Sequence, residues 1–390
     1  MKRILFDAEH EDYRRSVRAF LKKDVVPYYP AWETDGIVPR TLFTGLGSLG
    51  ALGISVPQEY GGAGIRDFRY SVVLQEEASA AAVAPALLGP ALQADICLPY
   101  LLTLTTDEQK DRWLPKIASG ELITAIAMTE PGTGSDLSAI RTKAVRDGDH
   151  YVLDGAKTFI TNGINADLVI TAVRTGPHPH HGISLLMVER DTEGFHRAGR
   201  LHKVGMHAQD TAELAFTGAR VPVANLLGSE GEGFKALTRN LGQERLSIAV
   251  GALAQAAAAL GWTVTYVRER HAFGQALAAQ QTVRHRLAEL VTATDVAQQY
   301  LDRCVIECNE GTLTPQDAAK AKWWCTELQG QVLDACVQLH GGHGYMIEQA
   351  VARAWADSRA TRIYGGATEI MKEIIGRSLV AEQSSQGAVR

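Results

Sequence analysis

The sequence predicts an α+β protein in three parts: an N-terminal helical domain, a middle β-barrel or β-sandwich domain and a C-terminal four-helix bundle. Apolar residues recur at helical spacing up to about residue 120. Short β-prone runs separated by turn residues follow from Glu121, and long helical segments resume at Gly233. We therefore expect domains at 1–120, 121–232 and 233–390 of the 390-residue chain.

The first region carries helix signals and one misleading motif. Asp7 can cap a helix whose apolar positions keep a 3.6-residue period until Pro27. The letters GLGSLG at 45–50 match the dinucleotide pattern G-x-G-x-x-G, but that pattern binds a pyrophosphate only between a strand and a helix. Here Leu42 and Leu46 follow helical spacing after Pro39 instead. We expect a short buried helix whose glycines are close-packing positions.

The sequence predicts β structure in the middle region and long helices after it. Asp154–Gly155 and Asn162–Gly163 are typical of tight turns between strands, and the spacing of the apolar runs favours a sandwich or barrel. The predicted strands are LITAIAMTE, HYVLDGAKTFITNG, ADLVITAVR, GISLLMVER and AELAFTGARVP. Beyond Gly233, one helix is predicted through Val283 to Val305 and another over DAAKAKWWCTELQGQVLDACVQLH, which is the pattern of a helix bundle.

Composition argues against several classes of function. The formal net charge is −5, whereas a nucleic-acid-binding protein is expected to present a basic face. The five cysteines lack C-x-x-C spacing, which argues against a disulfide framework or zinc site and favours a reducing compartment. We find no secretory signal and judge no apolar run long enough to span a membrane. We therefore expect a cytoplasmic protein that binds no nucleic acid and has no membrane span.

The histidines of TGPHPHH, at 178, 180 and 181, suggest metal binding at first sight. They lie in a Pro-containing segment between predicted strands, without carboxylates or cysteines spaced to complete a site. We interpret this segment as a solvated loop, and we predict no metal site.

Five longer motifs occur in order: TEPGTGSD (129–136), FITNG (159–163), RHAFG (270–274), QLHGGHGY (338–345) and IYGGATEI (363–370). Together they resemble the acyl-CoA dehydrogenase family of flavoproteins, and the likeness covers essentially the whole chain. QERLSIA (243–249) and IYGGATEIMKE (363–373) most resemble its long-chain branch. The resemblance implies FAD, oxidation of a saturated acyl-CoA to the trans-2-enoyl-CoA, and transfer of electrons to an electron-transferring flavoprotein. It also implies a homotetramer built from dimers.

The resemblance implies cofactor contacts of two kinds. One set flanks the flavin ring: Met128, Thr129, Ser135, Phe159, Ile160 and Thr161. The other set serves an FAD held with a neighbouring subunit: Arg270, Phe273, Gln281, Gln338, Leu339, Gly341 and Gly342. Glu369 matches a nearby polar position that contacts FAD in the family. Ala367 stands where much of the family has a hydrogen-bonding threonine, and we expect Thr368 to compensate.

The chain departs from the resemblance at the catalytic base. Many family members carry the base directly after the tyrosine of the IYGG segment, where this chain has Gly365. The reaction needs a base for the pro-R α-proton, while flavin N5 accepts a hydride from Cβ. The long-chain and isovaleryl branches carry the base in a segment that resembles QERL, which points to Glu244. Leu241, Ile248 and Gly251 share its helical face, so the carboxylate can face an acyl channel that raises its pKa.

The alternative for Glu244 is a surface carboxylate paired with Arg245 or Lys235. If the chain is a dehydrogenase, the N–H of Gly365 is expected to hold the thioester carbonyl. The candidate substrate-binding residues are then Ser135, Arg245, Tyr364 and Gly365.

Two other functions remain open from the sequence. The first is the same oxidation of an acyl group on acyl-carrier protein, because that carrier has the same phosphopantetheine arm as CoA. The second is a catalytically inactive flavin-binding or regulatory member of the fold. Gly365 favours the inactive member, whereas Glu244 and the acidic net charge oppose it.

Overall fold

A computed structural model describes the backbone of residues 3–386 and the side chains of residues 3–380. Asp7 immediately precedes the first helix, which continues through a wider turn at Leu21–Val25 and ends before Pro27, as predicted. The helices of the first region are α1 (Ala8–Phe20), α2 (Tyr29–Asp35), α3 (Arg40–Ser48), α4 (Arg69–Ala80), α5 (Ala84–Ala91), α6 (Leu98–Leu104) and α7 (Asp107–Ala118).

The GLGSLG segment lies in and just after α3, and the prediction of a buried helix is confirmed. Leu42, Phe43 and Leu46 are buried on this helix. A Cβ at Gly47 would lie 2.0 Å from the backbone oxygen of Ser119, so the glycine lets two backbone segments approach each other closely. In the described part of the chain no strand precedes α3.

Eight strands form the middle sheet, in the order β6-β7-β3-β2-β4-β5-β8, with β1 parallel to β4. A single parallel residue pair, Lys143 with Arg174, joins β2 to β4, and an apolar core of residues from both sides of this junction holds the two halves together. The strands are β1 (Thr124–Ala127), β2 (Lys143–Asp147), β3 (His150–Thr161), β4 (Leu168–Arg174), β5 (Ile183–Glu189), β6 (Phe195–Arg200), β7 (Thr211–Pro222) and β8 (Leu226–Leu227).

One of the two predicted turns in this region was wrong. Asp154–Gly155 lies inside β3 at a β-bulge, where a Cβ on Gly155 would lie 2.7 Å from Cα of Thr142. Asn162, at φ +60°, does begin a turn after β3. Strands β2 and β6 were missed because each buries a single side chain, Ala144 and Phe195 respectively, and so neither shows an apolar alternation.

Up to residue 386, the C-terminal region is a bundle of four long helices with one short helix, and the predicted fold class is confirmed. A short hairpin, β9 (His271–Ala272) and β10 (Gln275–Ala276), follows the first helix of this region, which ends at Glu269. The helices are α8 (Gly233–Glu269), α9 (Gln281–Glu310), α10 (Pro315–His340), α11 (Ala350–Ser358) and α12 (Thr368–Gln386). A single apolar cluster joins α8, α9 and α10 and includes residues of α4 and α11.

Two helical segments, Ala84–Leu104 and Gly233–Glu269, are long and apolar enough to cross a membrane by length and composition. The expectation that no apolar run reaches that length was therefore wrong. Their most apolar windows are 50% and 56% buried inside the folded chain. Because a core helix built from small apolar residues passes the same test, this finding is weak evidence for a membrane span.

Candidate active site

Glu244 lies about three turns into α8 and is buried, with 4% of its surface exposed. Within residues 3–380, its carboxylate makes one hydrogen bond, in which the Tyr100 hydroxyl donates to Oε1 at 2.8 Å. Lys235 instead pairs with Glu232 at 3.1 Å on the surface. The alternative of a surface carboxylate at position 244 is therefore wrong.

The surroundings of Glu244 change its acidity. Burial raises its pKa to about 7, although the hydrogen bond from Tyr100 and the charge of Arg245 both lower it. A carboxyl group with a pKa near the working pH is suited to general base catalysis, because it is available in the ionised form and still binds a proton readily.

The turn before α12 lies against the same part of α8. Gly365 has φ +65°, and a Cβ built there would lie 2.2 Å from Cδ1 of Ile248. The neighbouring Gly366 has φ +100°, and its carbonyl accepts a hydrogen bond from the buried Lys322 ammonium at 2.7 Å. This turn therefore brings backbone groups, rather than a side chain at position 365, towards the helix that carries Glu244.

The candidate substrate-binding residues lie in two places: three are on α8 or in the turn before α12, and the fourth is in an exposed loop. Arg245 is buried, and its Nε, which has no hydrogen-bond partner in the described chain, lies 3.9 Å from a Cβ built at Gly366. Burial raises the pKa of the half-buried Tyr364 phenol, as does the charge of Asp357. Ser135 lies apart from them in sequence, exposed in the loop after β1.

The residues predicted to flank a flavin lie at the end of β1 and on β3. The Thr158 N–H donates to the carbonyl of Thr129 at 2.9 Å, which ties the two segments together. Phe159 adopts φ +60° and exposes 68% of its surface, whereas the Ile160 side chain is buried in the β core. Only the backbone of Ile160 can therefore face a cofactor. The half-buried members of this set are Met128, Thr129 and Thr161.

A buried ion pair that sequence reasoning missed supports this region. The Lys157 ammonium lies 2.9 Å from Oε1 of Glu130 and donates to the carbonyl of Met128 at 3.1 Å. The N–H groups of Arg141 and Thr142 donate to the same carboxylate at 2.8 and 2.9 Å. Burial by itself raises the pKa of Glu130, but these partners reverse the effect and hold it below its usual value.

The second predicted cofactor set lies at the far end of α8. The β9–β10 hairpin carries Phe273 at its tip, with φ +54° and 97% of its surface exposed. Tyr266 stacks on His340 and donates a hydrogen bond to its carbonyl at 3.1 Å, which joins the end of α8 to the end of α10. The other exposed members of the set are Arg270, Gln281, Gln338, Gly341 and Gly342, and Leu339 is half-buried.

The structure does not bring the second set to Glu244 within one chain. At about 1.5 Å per residue, Glu244 and Arg270 lie about 39 Å apart along α8. Of the two residues next to Ala367, Thr368 donates a hydrogen bond to Oε1 of Glu327 at 2.7 Å, and Glu369 is exposed. The contact that Thr368 was expected to provide is therefore directed to Glu327 in this structure.

The loop with three histidines is exposed; the His178 ring contacts those of His180 and His181, and His180 also stacks on Phe234 of α8. The N–H groups of His180 and His181 both donate to Nδ1 of His178, at 3.1 and 2.9 Å. In the described chain, the one group with metal-ligand spacing is Asp7, Glu9 and His10, which lies elsewhere. In that group Asp7 already pairs with Arg69 and His10 with Asp67.

Comparison with known proteins agrees with the motifs over nearly the whole chain. Family models described as the N-terminal, middle and C-terminal domains of acyl-CoA dehydrogenase match residues 7–121, 125–219 and 231–380. The mitochondrial long-chain specific acyl-CoA dehydrogenase of Rattus norvegicus is 44% identical over 383 residues, which are 97% of this chain and 88% of that protein.

Solved structures show the same similarity. The crystal structure of an acyl-CoA dehydrogenase from Geobacillus kaustophilus matches with a TM-score of 0.94 and 48% identity, covering 96% of this chain and 98% of that one. A glutaryl-CoA dehydrogenase from Mycobacterium smegmatis, solved in complex with FADH2, matches with a TM-score of 0.90 and 27% identity. That match covers 97% of this chain and 96% of the other.

Proposed function

The chain belongs to the acyl-CoA dehydrogenase family of FAD-dependent oxidoreductases acting on CH–CH bonds, and we propose that it oxidises long-chain saturated acyl-CoA thioesters with Glu244 as the base. The long-chain preference is supported by the relatives named for that substrate class. The assignment of the base rests on the burial of Glu244, whose carboxylate has no hydrogen-bonded cation among residues 3–380 and whose pKa is raised to about 7.

In this proposal Glu244 removes the α-proton of the acyl chain. Its Oε1 accepts the hydrogen bond from Tyr100, and the second oxygen, Oε2, is the one that takes the proton. The N–H of Gly365 would donate to the thioester carbonyl and stabilise the negative charge that develops there as the α-proton leaves. Arg245, buried beside the same turn, adds a positive charge to this end of the site.

The exposed groups around the β domain fit a flavin. Phe159 is an exposed aromatic side chain, and the loop after β1, which the Thr158 N–H ties to β3, carries Gly132, where a Cβ would meet no atom within 4 Å. Bound FAD supplies the acceptor, at flavin N5, for the hydride that leaves Cβ. The residues that would hold its ring are Met128, Thr129, Ser135, Phe159, Ile160 and Thr161.

The separation of the two cofactor sets supports a homotetramer built from dimers. Arg270 and the exposed Phe273 lie at the opposite end of α8 from Glu244, so we propose that they serve the FAD of a neighbouring subunit. A guanidinium suits the diphosphate, and an aromatic face suits the adenine. The same assignment extends to Gln281, Gln338, Leu339, Gly341 and Gly342. Thr368 and Glu369 are proposed as nearby polar contacts.

Three further parts of the proposal concern the setting of the enzyme. An electron-transferring flavoprotein is the proposed electron acceptor. A cytoplasmic location is supported by five cysteines that are all free thiols. Domains at 1–120, 121–232 and 233–390 are supported by the end of α7 at Ala118 and the start of α8 at Gly233.

Anaerobic reduction of the purified enzyme by a saturated long-chain acyl-CoA tests the proposed reaction and its base. The wild-type flavin should bleach, and Glu244→Gln should bleach about 10²–10⁴-fold more slowly while retaining FAD. Glu232→Gln is the matched control, because this exposed carboxylate immediately precedes the same helix. Equal bleaching of wild type and Glu244→Gln would remove Glu244 as the base. If the wild-type flavin bleaches with an acyl-carrier-protein thioester but with no acyl-CoA, the substrate is the acyl-carrier-protein thioester and the proposed acyl-CoA substrate is wrong.

A further inference from the structure

We propose that Tyr100 is a positioning residue for the α-proton abstraction, which holds one oxygen of Glu244 so that the other faces the substrate. This inference rests on the proposed role of Glu244 as the base. The two side chains come from distant parts of the sequence: Tyr100 lies on α6 of the N-terminal helical region, and Glu244 lies on α8 of the bundle.

The hydrogen bond has a fixed donor. The Tyr100 side chain is 0% exposed, and its hydroxyl donates to Oε1 of Glu244 at 2.8 Å. Burial and the negative charge of Glu244 raise the pKa of the phenol well above its usual value. The phenol therefore keeps its proton throughout the pH range of an activity assay, and it can donate whenever Glu244 is ionised.

The helix that carries Tyr100 is itself held firmly in the core. Leu98 and Leu101 of α6 are buried, and both belong to one apolar cluster with Tyr100 and with Leu237 of α8. A donor attached to such a packed helix restricts the rotation of the Glu244 carboxylate more than a water molecule would. A base held in this way loses little freedom when it reaches the transition state.

The same contact sets the acidity of the base. A hydrogen bond to the ionised carboxylate favours that form, so Tyr100 opposes the rise in pKa that burial causes. Besides Tyr100, the Arg245 guanidinium acts on Glu244 in the described chain, and the charge of Glu244 in turn raises the pKa of the Cys97 thiol. Burial raises the pKa of Cys97 to about 12, so that thiol is neutral near pH 7. Glu244 is therefore the group in this cluster that titrates near neutrality.

Tyr100→Phe in the FAD-loaded enzyme tests the inference, because it removes the hydroxyl and keeps the ring. Without the donor the pKa of Glu244 rises, so the ascending limb of the pH profile of kcat should move to higher pH by about one unit. We also expect kcat at the plateau to fall about tenfold, with little change in KM, because the carboxylate is less well oriented.

Tyr151→Phe is the matched control. The Tyr151 ring is buried in the β domain, and its hydroxyl donates to Oε2 of Glu230 at 2.6 Å, so the substitution removes a similar hydrogen bond elsewhere. A shift of the limb in Tyr100→Phe alone supports the inference. An unshifted limb in Tyr100→Phe, or the same shift in both variants, overturns it.

The outcome for Glu244→Gln separates this inference from the proposed function. If Glu244→Gln is inactive and Tyr100→Phe keeps the wild-type pH profile, Glu244 remains the base and the positioning role of Tyr100 is wrong. If Glu244→Gln keeps full activity, the proposed base is wrong and the inference about Tyr100 is overturned with it.

Discussion

Two buried glutamates, Glu130 after β1 and Glu244 on α8, meet different partners inside the same chain. Glu130 faces the Lys157 ammonium at 2.9 Å and accepts two backbone N–H groups. Glu244 accepts one hydrogen bond, from the neutral Tyr100 phenol, within the described residues. Burial raises the pKa of both groups, and only at Glu130 is that effect reversed by the partners.

This difference distinguishes a carboxylate suited to a structural role from one suited to accept a proton. A carboxylate with a cation and several donors is strongly held in its ionised form, so it is a poor proton acceptor but a good anchor for a loop. A buried carboxylate with one neutral donor keeps a pKa near neutrality and can accept a proton. Glu130 therefore supports the loop after β1, and the surroundings of Glu244 are consistent with the proposal that it is the base.

The largest expected effect comes from breaking the ion pair. Glu130→Gln leaves the Lys157 ammonium buried without its counter-charge, and we expect the free energy of unfolding to fall by about 3–5 kcal/mol. Urea unfolding of the FAD-loaded enzyme measures this loss. The double variant Glu130→Gln/Lys157→Met should recover much of it, because it removes the unpaired charge. A loss below about 1 kcal/mol would mean that the pair is not the anchor of this loop.

The pH dependence of stability should have opposite signs at the two sites. The pKa of Glu244 is about 7 in the folded chain and 4.5 in the unfolded chain, where it is not buried. Between these two values the folded state binds a proton that the unfolded state has lost, so the folded state loses stability as pH rises from about 4.5 through about 7. The difference of about 2.5 units at 1.36 kcal/mol per unit gives about 3 kcal/mol. Glu244→Gln should therefore gain stability relative to wild type as pH rises over this range, reaching about that amount.

At Glu130 the sign reverses, because its pKa is lowered in the folded chain. The stability that it contributes is present above its unfolded pKa and is lost as pH falls through the folded value. The penalty of Glu130→Gln should accordingly be greatest near neutral pH and diminish in acid. Urea unfolding of wild type and Glu244→Gln between pH 4.5 and 8, and of wild type and Glu130→Gln from neutral pH to below pH 4.5, measures the two slopes. Slopes of the same sign would contradict the predicted difference between the two glutamates.

The sequence allowed Glu244 to be placed and left its partner unknown. A helical period of 3.6 residues and the QERL segment were enough to put Glu244 on an inward face of α8. Tyr100 lies 144 positions away, and no local pattern distinguishes its hydroxyl from that of any other buried tyrosine. The pair of Glu130 with Lys157 was missed for the same reason, since these contacts are created by tertiary packing.

The turn residues show the same division between local and tertiary information. Asn162–Gly163 was correctly predicted as a turn because local chemistry decides its backbone conformation. Asp154–Gly155 has an equally strong turn signal, but pairing of β3 with β7 on both sides of it makes it a bulge within a strand. A dipeptide can therefore fix a positive φ, whereas the long-range pairing decides whether the chain reverses there.

The smallest expected effect tests why the carboxylate lies on α8 rather than on the turn before α12. Gly365→Ala adds a Cβ at φ +65° that would lie 2.2 Å from Cδ1 of Ile248. We expect it to lower the free energy of unfolding by roughly 1–2 kcal/mol, because the left-handed backbone disfavours any side chain and Ile248 must move. Gly50→Ala is the matched control, since Gly50 has φ +78° and a Cβ there would meet nothing within 4 Å. Urea unfolding should show a greater loss for Gly365→Ala than for Gly50→Ala, and Ile248→Ala should reduce that excess.

A glutamate at position 365 would begin with this same Cβ, so the excess measures the steric barrier to a carboxylate on the turn. If Gly365→Ala and Gly50→Ala lose equal stability, position 365 has room for a side chain, and packing does not explain why the carboxylate is absent there. If the excess is present, the packing of Ile248 against Gly365 excludes a side chain from the turn, and a buried carboxylate at this part of the site has to come from α8. The position of Glu244 then has a steric cause, in addition to the electrostatic difference that separates it from Glu130.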